Sequence, residues 1–97
     1  MKLAQQQYND LKDVIEHHDF SVDAFSFVKK RGWVSISSNT RDQIFSFFKK
    51  KTHRINPQTQ KLEQQLSFQL KFNNGSIVKD LNWNDVILSF DKWLTAD

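Results

Sequence analysis

Cysteine is absent from this chain of 97 residues, proline occurs once and glycine twice. Without thiols there is no disulfide and no thiolate metal site, so a core has to hold by packing alone. Two isolated glycines, Gly32 and Gly75, cannot form a glycine-rich phosphate cradle. No apolar run approaches the roughly 18 residues that a transmembrane helix needs, so membrane insertion is not expected. Met1-Lys2-Leu3 runs into glutamines and not into an apolar leader segment, and a cytoplasmic location is expected. The length suits a single domain, 1–97, with one modest core.

Reactive constellations are scarce as well. Serines are plentiful, but none sits in a nucleophile-elbow pattern, and no carboxylate pair shares a core-facing position. Glu16-His17-His18-Asp19 groups ligand-type residues, yet neighbours on a helix point about 100° apart and do not converge. Asp13 and His17 have the spacing of a helical ligand pair, but two ligands do not make a site. His18 falls on an apolar stripe and reads as a partly buried structural histidine. The expectation is therefore no enzyme, no catalytic residue, no metal and no cofactor.

Aromatic rings and segregated charge are what the chain does have. Nine Phe and three Trp supply large side chains for a core. The net charge of +3 divides unevenly: residues 1–28 sum to −3, residues 29–61 to +8 and residues 62–97 to −2. A basic middle third favours a polyanionic partner: nucleic acid, an acidic protein or an anionic surface.

Periodicity predicts an α+β domain. Residues 3–18 read as a helix through the stripe Ala4, Tyr8, Leu11, Ile15 and His18. Residues 24–80 read as a five-stranded antiparallel meander. Its turns fall at 29–32, at 39–42, at 56–59 and at Asn74-Gly75, the last of type I′. Residues 82–95 read as a helix packed on one sheet face, opened by an Asn82/Asp85 capping box. Phe20 and Val22 anchor the connection after the first helix.

One phrase is written twice, Phe25-Ser-Phe-Val-Lys-Lys and Phe45-Ser-Phe-Phe-Lys-Lys. The first and third strands of a meander run the same way, so both lysine runs emerge at one end of the sheet. The turns also set a register. It pairs Val28 with Trp33 and Phe27 with Val34. It then pairs Trp33 with Phe48, Phe47 with Phe68, and Phe72 with Ile77. One face collects Phe25, Phe27, Val34, Ile36, Phe45 and Phe47, joined by Leu66, Phe68, Leu70, Phe72 and Ile77. On the opposite, polar face a row of Val28, Trp33 and Phe48 breaks the alternation, with Ile44 and Val78 further along.

That row has two meanings. Rings on an open sheet stack on unpaired bases while nearby cations hold phosphates. If the first helix crosses this face instead, Trp33, Phe48 and Ile44 form a second small core. Arg31-Gly32-Trp33-Val34-Ser35-Ile36 resembles the opening of an RRM strand motif, departing from it at Ser35. Four strands followed by a helix is similar in architecture, over residues 25–95, to the PUR and Whirly single-strand binders, and architecture alone does not carry function.

The expected function is a non-catalytic binding module for single-stranded nucleic acid. Its polyanion-binding residues are Lys29, Lys30, Arg31, Lys49, Lys50, Lys51, His53 and Arg54. Trp33, Phe48 and Ile44 form the stacking or interface row. The alternative is a protein-interaction or homodimerisation module that uses the same row. Lysines at strand ends also keep sheet edges soluble without binding anything.

Overall fold

The computed structural model describes residues 5–96. Helix α1 (Gln5–His17) leads through a single 3-10 turn (Val22–Ala24) into five strands. These are β1 (Phe25–Lys30), β2 (Trp33–Ser38), β3 (Phe45–Ile55), β4 (Leu62–Lys71) and β5 (Ile77–Leu81), and helix α2 (Trp83–Thr95) closes the order. The strands form one antiparallel sheet in the order β1-β2-β3-β4-β5. The expected α+β architecture is therefore present. The first positions of the expected helix, Ala4 among them, lie outside the described residues.

Turn chemistry moves the register away from the expectation at three of four connections. Only β2–β3 matches, with Trp33 opposite Phe48 and Ile36 opposite Phe45. Between β1 and β2 the loop is two residues, Arg31 at φ 54° and Gly32 at φ 85°. Two positive φ angles make a type I′ turn, whose twist matches that of the flanking strands. Lys30 consequently stands opposite Trp33, and Val28 stands opposite Ser35. Between β3 and β4 the turn is Pro57–Gln60, with the Asn56 amide donating to the Lys61 carbonyl at 2.9 Å and Gln60 at φ 56°. Phe47 thus pairs with Leu70, and Phe68 with Lys49. Both slips are two residues long, so every side chain keeps its face.

The β4–β5 turn departs by one residue, which is enough to exchange faces. The Gly75 amide donates to the Phe72 carbonyl, the Phe72 amide to the Ser76 carbonyl, and Gly75 alone has positive φ, 89°. This is a type I turn closed by a glycine bulge, not the type I′ turn expected at Asn74-Gly75. Ile77 pairs with Lys71 and joins the polar face, while Val78 pairs with Leu70 on the apolar face. A second bulge, with Asp80 at φ 61°, then restores Leu81 to the apolar face opposite Phe68.

Both helices lie on the apolar face, side by side. Leu11 and Ile15 of α1 are buried in one cluster with Val86, Phe90 and Leu94 of α2 and with Val34, Ile36, Phe47 and their neighbours on the sheet. Tyr8 meets Phe27 edge-on, with ring centroids 5.6 Å apart, over the β1 side. Trp83 packs on Phe47 and Phe68 over the β3–β4 side and donates its indole N–H to Asp10 at 2.7 Å. His18 closes the far end of the helix pair against Asp91. The capping box of α2 is complete: Asn82 accepts from the Asp85 amide at 2.7 Å, and Asp85 accepts from the Asn82 amide at 3.2 Å. Three residues of the expected core face are exposed: Leu66, Phe72 and Ile77. Leu66 has the right parity but lies on the part of β4 that no helix covers, Phe72 falls just past the end of β4 at the rim of a cavity shared with Ser89 and Trp93 of α2, and Ile77 has changed face.

One cation of the basic third is structural. Arg41, between β2 and β3, donates from Nη1 to the carbonyls of Trp93 and Ala96 at 3.0 Å each and from Nη2 to that of Leu94. Its guanidinium also lies over the rings of Trp93 (5.3 Å) and Phe20 (5.8 Å). A positive charge at the carbonyl end of a helix satisfies open acceptors and opposes the helix dipole. Arg41→Ala is expected to lower unfolding stability by about 2–3 kcal/mol in urea titrations. Arg41→Lys should recover only part of that, because one ammonium cannot reach three carbonyls in a planar fork.

Candidate nucleic-acid interface

With both helices on one side, the other face of the sheet carries no second layer. Side chains on this face follow from the ladder: Lys30 of β1, Trp33 of β2, Phe48 of β3 and Gln69 of β4 stand in one row. Trp33 and Phe48 lean on each other, with centroids 5.4 Å apart and planes at 46°, and both are half-buried. No helix covers them: α1 is buried on the other face, so of the two meanings open for the row, the second small core beneath α1 does not form. The rest of the face is largely hydroxyl and amide, including Ser35 and Ser46, whose oxygens are 3.2 Å apart.

Gly32 is required here twice over. Its φ of 85° suits residues without a Cβ, and a Cβ built on it would come within 2.5 Å of Phe48 Cε2. The hairpin turn therefore forms a seat for the Phe48 ring, which in turn supports Trp33. Local turn chemistry and the aromatic pair are one construction.

The lysine runs do emerge at a common end of the sheet, but strand alternation divides them between its faces. Lys30, Lys50 and Arg54 project from the open face with Trp33 and Phe48, and Arg31 sits at the tip of the hairpin. Lys29, Lys49, Lys51 and His53 project from the helix-bearing face. There Lys29, Lys49 and Lys51 line a cleft of about 360 Å³ together with Gln7 of α1, beside the Gly32–Phe48 contact. Eight residues expected in one polyanion-binding site thus belong to two surfaces that meet at the sheet end.

Ile44 does not join the aromatic pair. It precedes β3, exposed, and lies near Phe72 and Asn73 at the opposite end of the sheet. Lys71 was missed as a candidate, although its parity on β4 was legible. It stands on the open face opposite Ser46, one row from Phe48. Among the described residues no lysine or arginine forms a salt bridge. Glu63 stands opposite Arg54 on the open face, whereas the rows that hold Lys30, Lys50 and Lys71 contain no acid.

The described residues hold no cluster of three or more His, Cys, Asp or Glu side chains suited to a metal. No helix among them is long and apolar enough to cross a membrane. Comparison with known proteins finds no matching family model, no similar curated protein and no similar solved structure.

The seat under Phe48 can be measured. Gly32→Ala and Gly75→Ala impose similar backbone strain, about 1–2 kcal/mol, since both glycines have positive φ. Nothing lies within 4 Å of a Cβ at Gly75. Gly32→Ala should therefore cost more than Gly75→Ala in urea unfolding, and it alone should change the Trp33 fluorescence in the folded state.

Proposed function

We propose that this chain is a non-catalytic binding module that takes single-stranded nucleic acid on its helix-free sheet face. One observation carries the reading: the Trp33–Phe48 pair lies on the uncovered face in a row with Lys30, and Lys50 and Lys71 stand one row away on either side. The partly exposed rings offer a stacking surface that every base can use, and the surrounding ammonium groups suit a flexible phosphate backbone. A two-stranded helix is a poorer match, because stacking needs bases that are already unpaired. Ser35, Ser46 and Gln69 between the rings and the cations supply hydrogen-bonding groups without strong base preference. Sequence-tolerant binding follows from this chemistry.

Fluorescence anisotropy of labelled single-stranded RNA and DNA, titrated with the protein at low and physiological salt, tests the proposal. Micromolar binding is expected, weakening with salt as counterions are displaced. Trp33→Ala should cost about 1–3 kcal/mol of binding while the circular dichroism spectrum is retained. Lys30→Ala should reduce the salt slope by about 1 and Lys29→Ala, on the other face, by less. No binding at low salt, or affinity indifferent to Trp33→Ala, would overturn the assignment. A change in molecular mass on Trp33→Ala, without any effect on oligonucleotides, would assign the row to self-association instead.

A further inference from the structure

Beyond the last row shared with β2, strands β3 and β4 continue alone as a two-stranded arm. Six residue pairs, from Lys50–Ser67 to Ile55–Leu62, extend the ladder without a break, a reach of about 20 Å. One face of this arm is polar, with Thr52, Arg54, Glu63 and Gln65. The other continues the helix-bearing face of the sheet, and there the apolar parity of β4 runs on past the end of the helices. Ile55, Leu62 and Leu66 are 65%, 67% and 50% exposed on that face, with Lys51 and His53 between them.

A complementary surface exists on the same chain. The outer side of the α1–α2 pair has a shallow groove of about 320 Å³ lined by Asp13, Val14, His17, Ile87 and Asp91. Its apolar residues are Val14 and Ile87, and its rims are acidic. Charge on the facing surfaces follows the same division: Lys49 and Lys51 stand on the helix-bearing face at the base of the arm with no acid among their neighbours there, whereas the groove holds Asp13 and Asp91 and no Lys or Arg. The arm cannot fold back onto its own helices, because the β3–β4 ladder is continuous with the sheet on which those helices sit.

We propose that a second copy of this chain covers the arm, and that two copies exchange arms about a two-fold axis. The apolar side of each arm, Ile55, Leu62 and Leu66, lies in the partner's helix groove at Val14 and Ile87, and Lys51 approaches the acidic rim at Asp13. The arm lacks the helix layer that the body of the chain carries, so the partner's helices fill that missing layer. An isologous arrangement covers both exposed stripes at once and closes the assembly. Reciprocal contact brings the buried surface to the order of 1,000 Å², the scale that a specific interface needs. The Trp33–Phe48 face points away from this contact in both copies.

Sedimentation velocity from micromolar to submillimolar concentration, at low and at high salt, is the test. The expected result is a concentration-dependent rise from the 11.5 kDa chain mass to twice that value, weakened by salt. Leu62→Glu/Leu66→Glu in the arm, and separately Asp13→Lys on the exposed groove rim, should each raise the dimer dissociation constant at least tenfold. Both sets lie at exposed positions, and unchanged circular dichroism and urea midpoints would establish that the variants fold. Oligonucleotide binding by the Leu62→Glu/Leu66→Glu variant reports on the Trp33 face separately. A wild-type chain that stays at monomer mass throughout, or a dimer that either set leaves intact, overturns the proposal.

Discussion

The seating of two helices on the same face of one sheet is the constraint on which the rest of the structure depends. Each helix has an apolar stripe to bury, and the sheet has a single continuous apolar face. Leu11 and Ile15 enter the same cluster as Val86 and Phe90, so α1 completes the layer begun by α2 and does not start a second one. Asp10 and His18 secure the seam through Trp83 and Asp91, and Arg41 holds the C-terminal end of α2 to the β2–β3 turn. Everything interesting about the opposite face follows from what this layer leaves uncovered.

Cover also explains the two unsatisfied apolar regions. Thirteen-residue helices span about 20 Å, whereas β3 and β4, with eleven and ten residues, span over 30 Å. The excess projects as the arm, and the parity that gives β4 a buried Phe68 and Leu70 also gives it an exposed Leu62 and Leu66. On the open face, Trp33 and Phe48 exceed what a solvated surface requires. The Phe48 ring packs on Gly32 and Trp33 packs on Phe48, so the pair is built into the hairpin. The two surfaces lie on opposite sides of the sheet, so occupation of one leaves the other free.

The basic third has no single role. Arg41 is bound to helix carbonyls, Lys30 and Lys50 border the aromatic pair, and Lys29, Lys49 and Lys51 line a cleft on the other side. A run of lysines in a strand looks like one patch when read along the chain. The pleat sends alternate members to opposite faces, so each surface receives about half the charge that the run suggests.

The element order, the face of most apolar strand residues, the capping box of α2 and the shared end of the two lysine runs were all legible in the sequence by itself. Each depends on local periodicity or on a turn that connects neighbouring strands. Pairing in the β1–β2 and β3–β4 hairpins was displaced by two residues because loop length depends on backbone dihedrals at Arg31, Gly32 and Gln60. Parity nonetheless survived, since a slip of two preserves the faces. At Asn74-Gly75 the same dipeptide serves a type I′ turn or a glycine bulge, and the one-residue difference sent Ile77 to the other side. Tertiary structure alone decided where α1 lies, that Arg41 is a helix cap and that Trp33 and Phe48 have no helix above them. An apolar stripe states that a helix must be buried, but the partner it is buried against depends on surfaces brought together from distant parts of the chain.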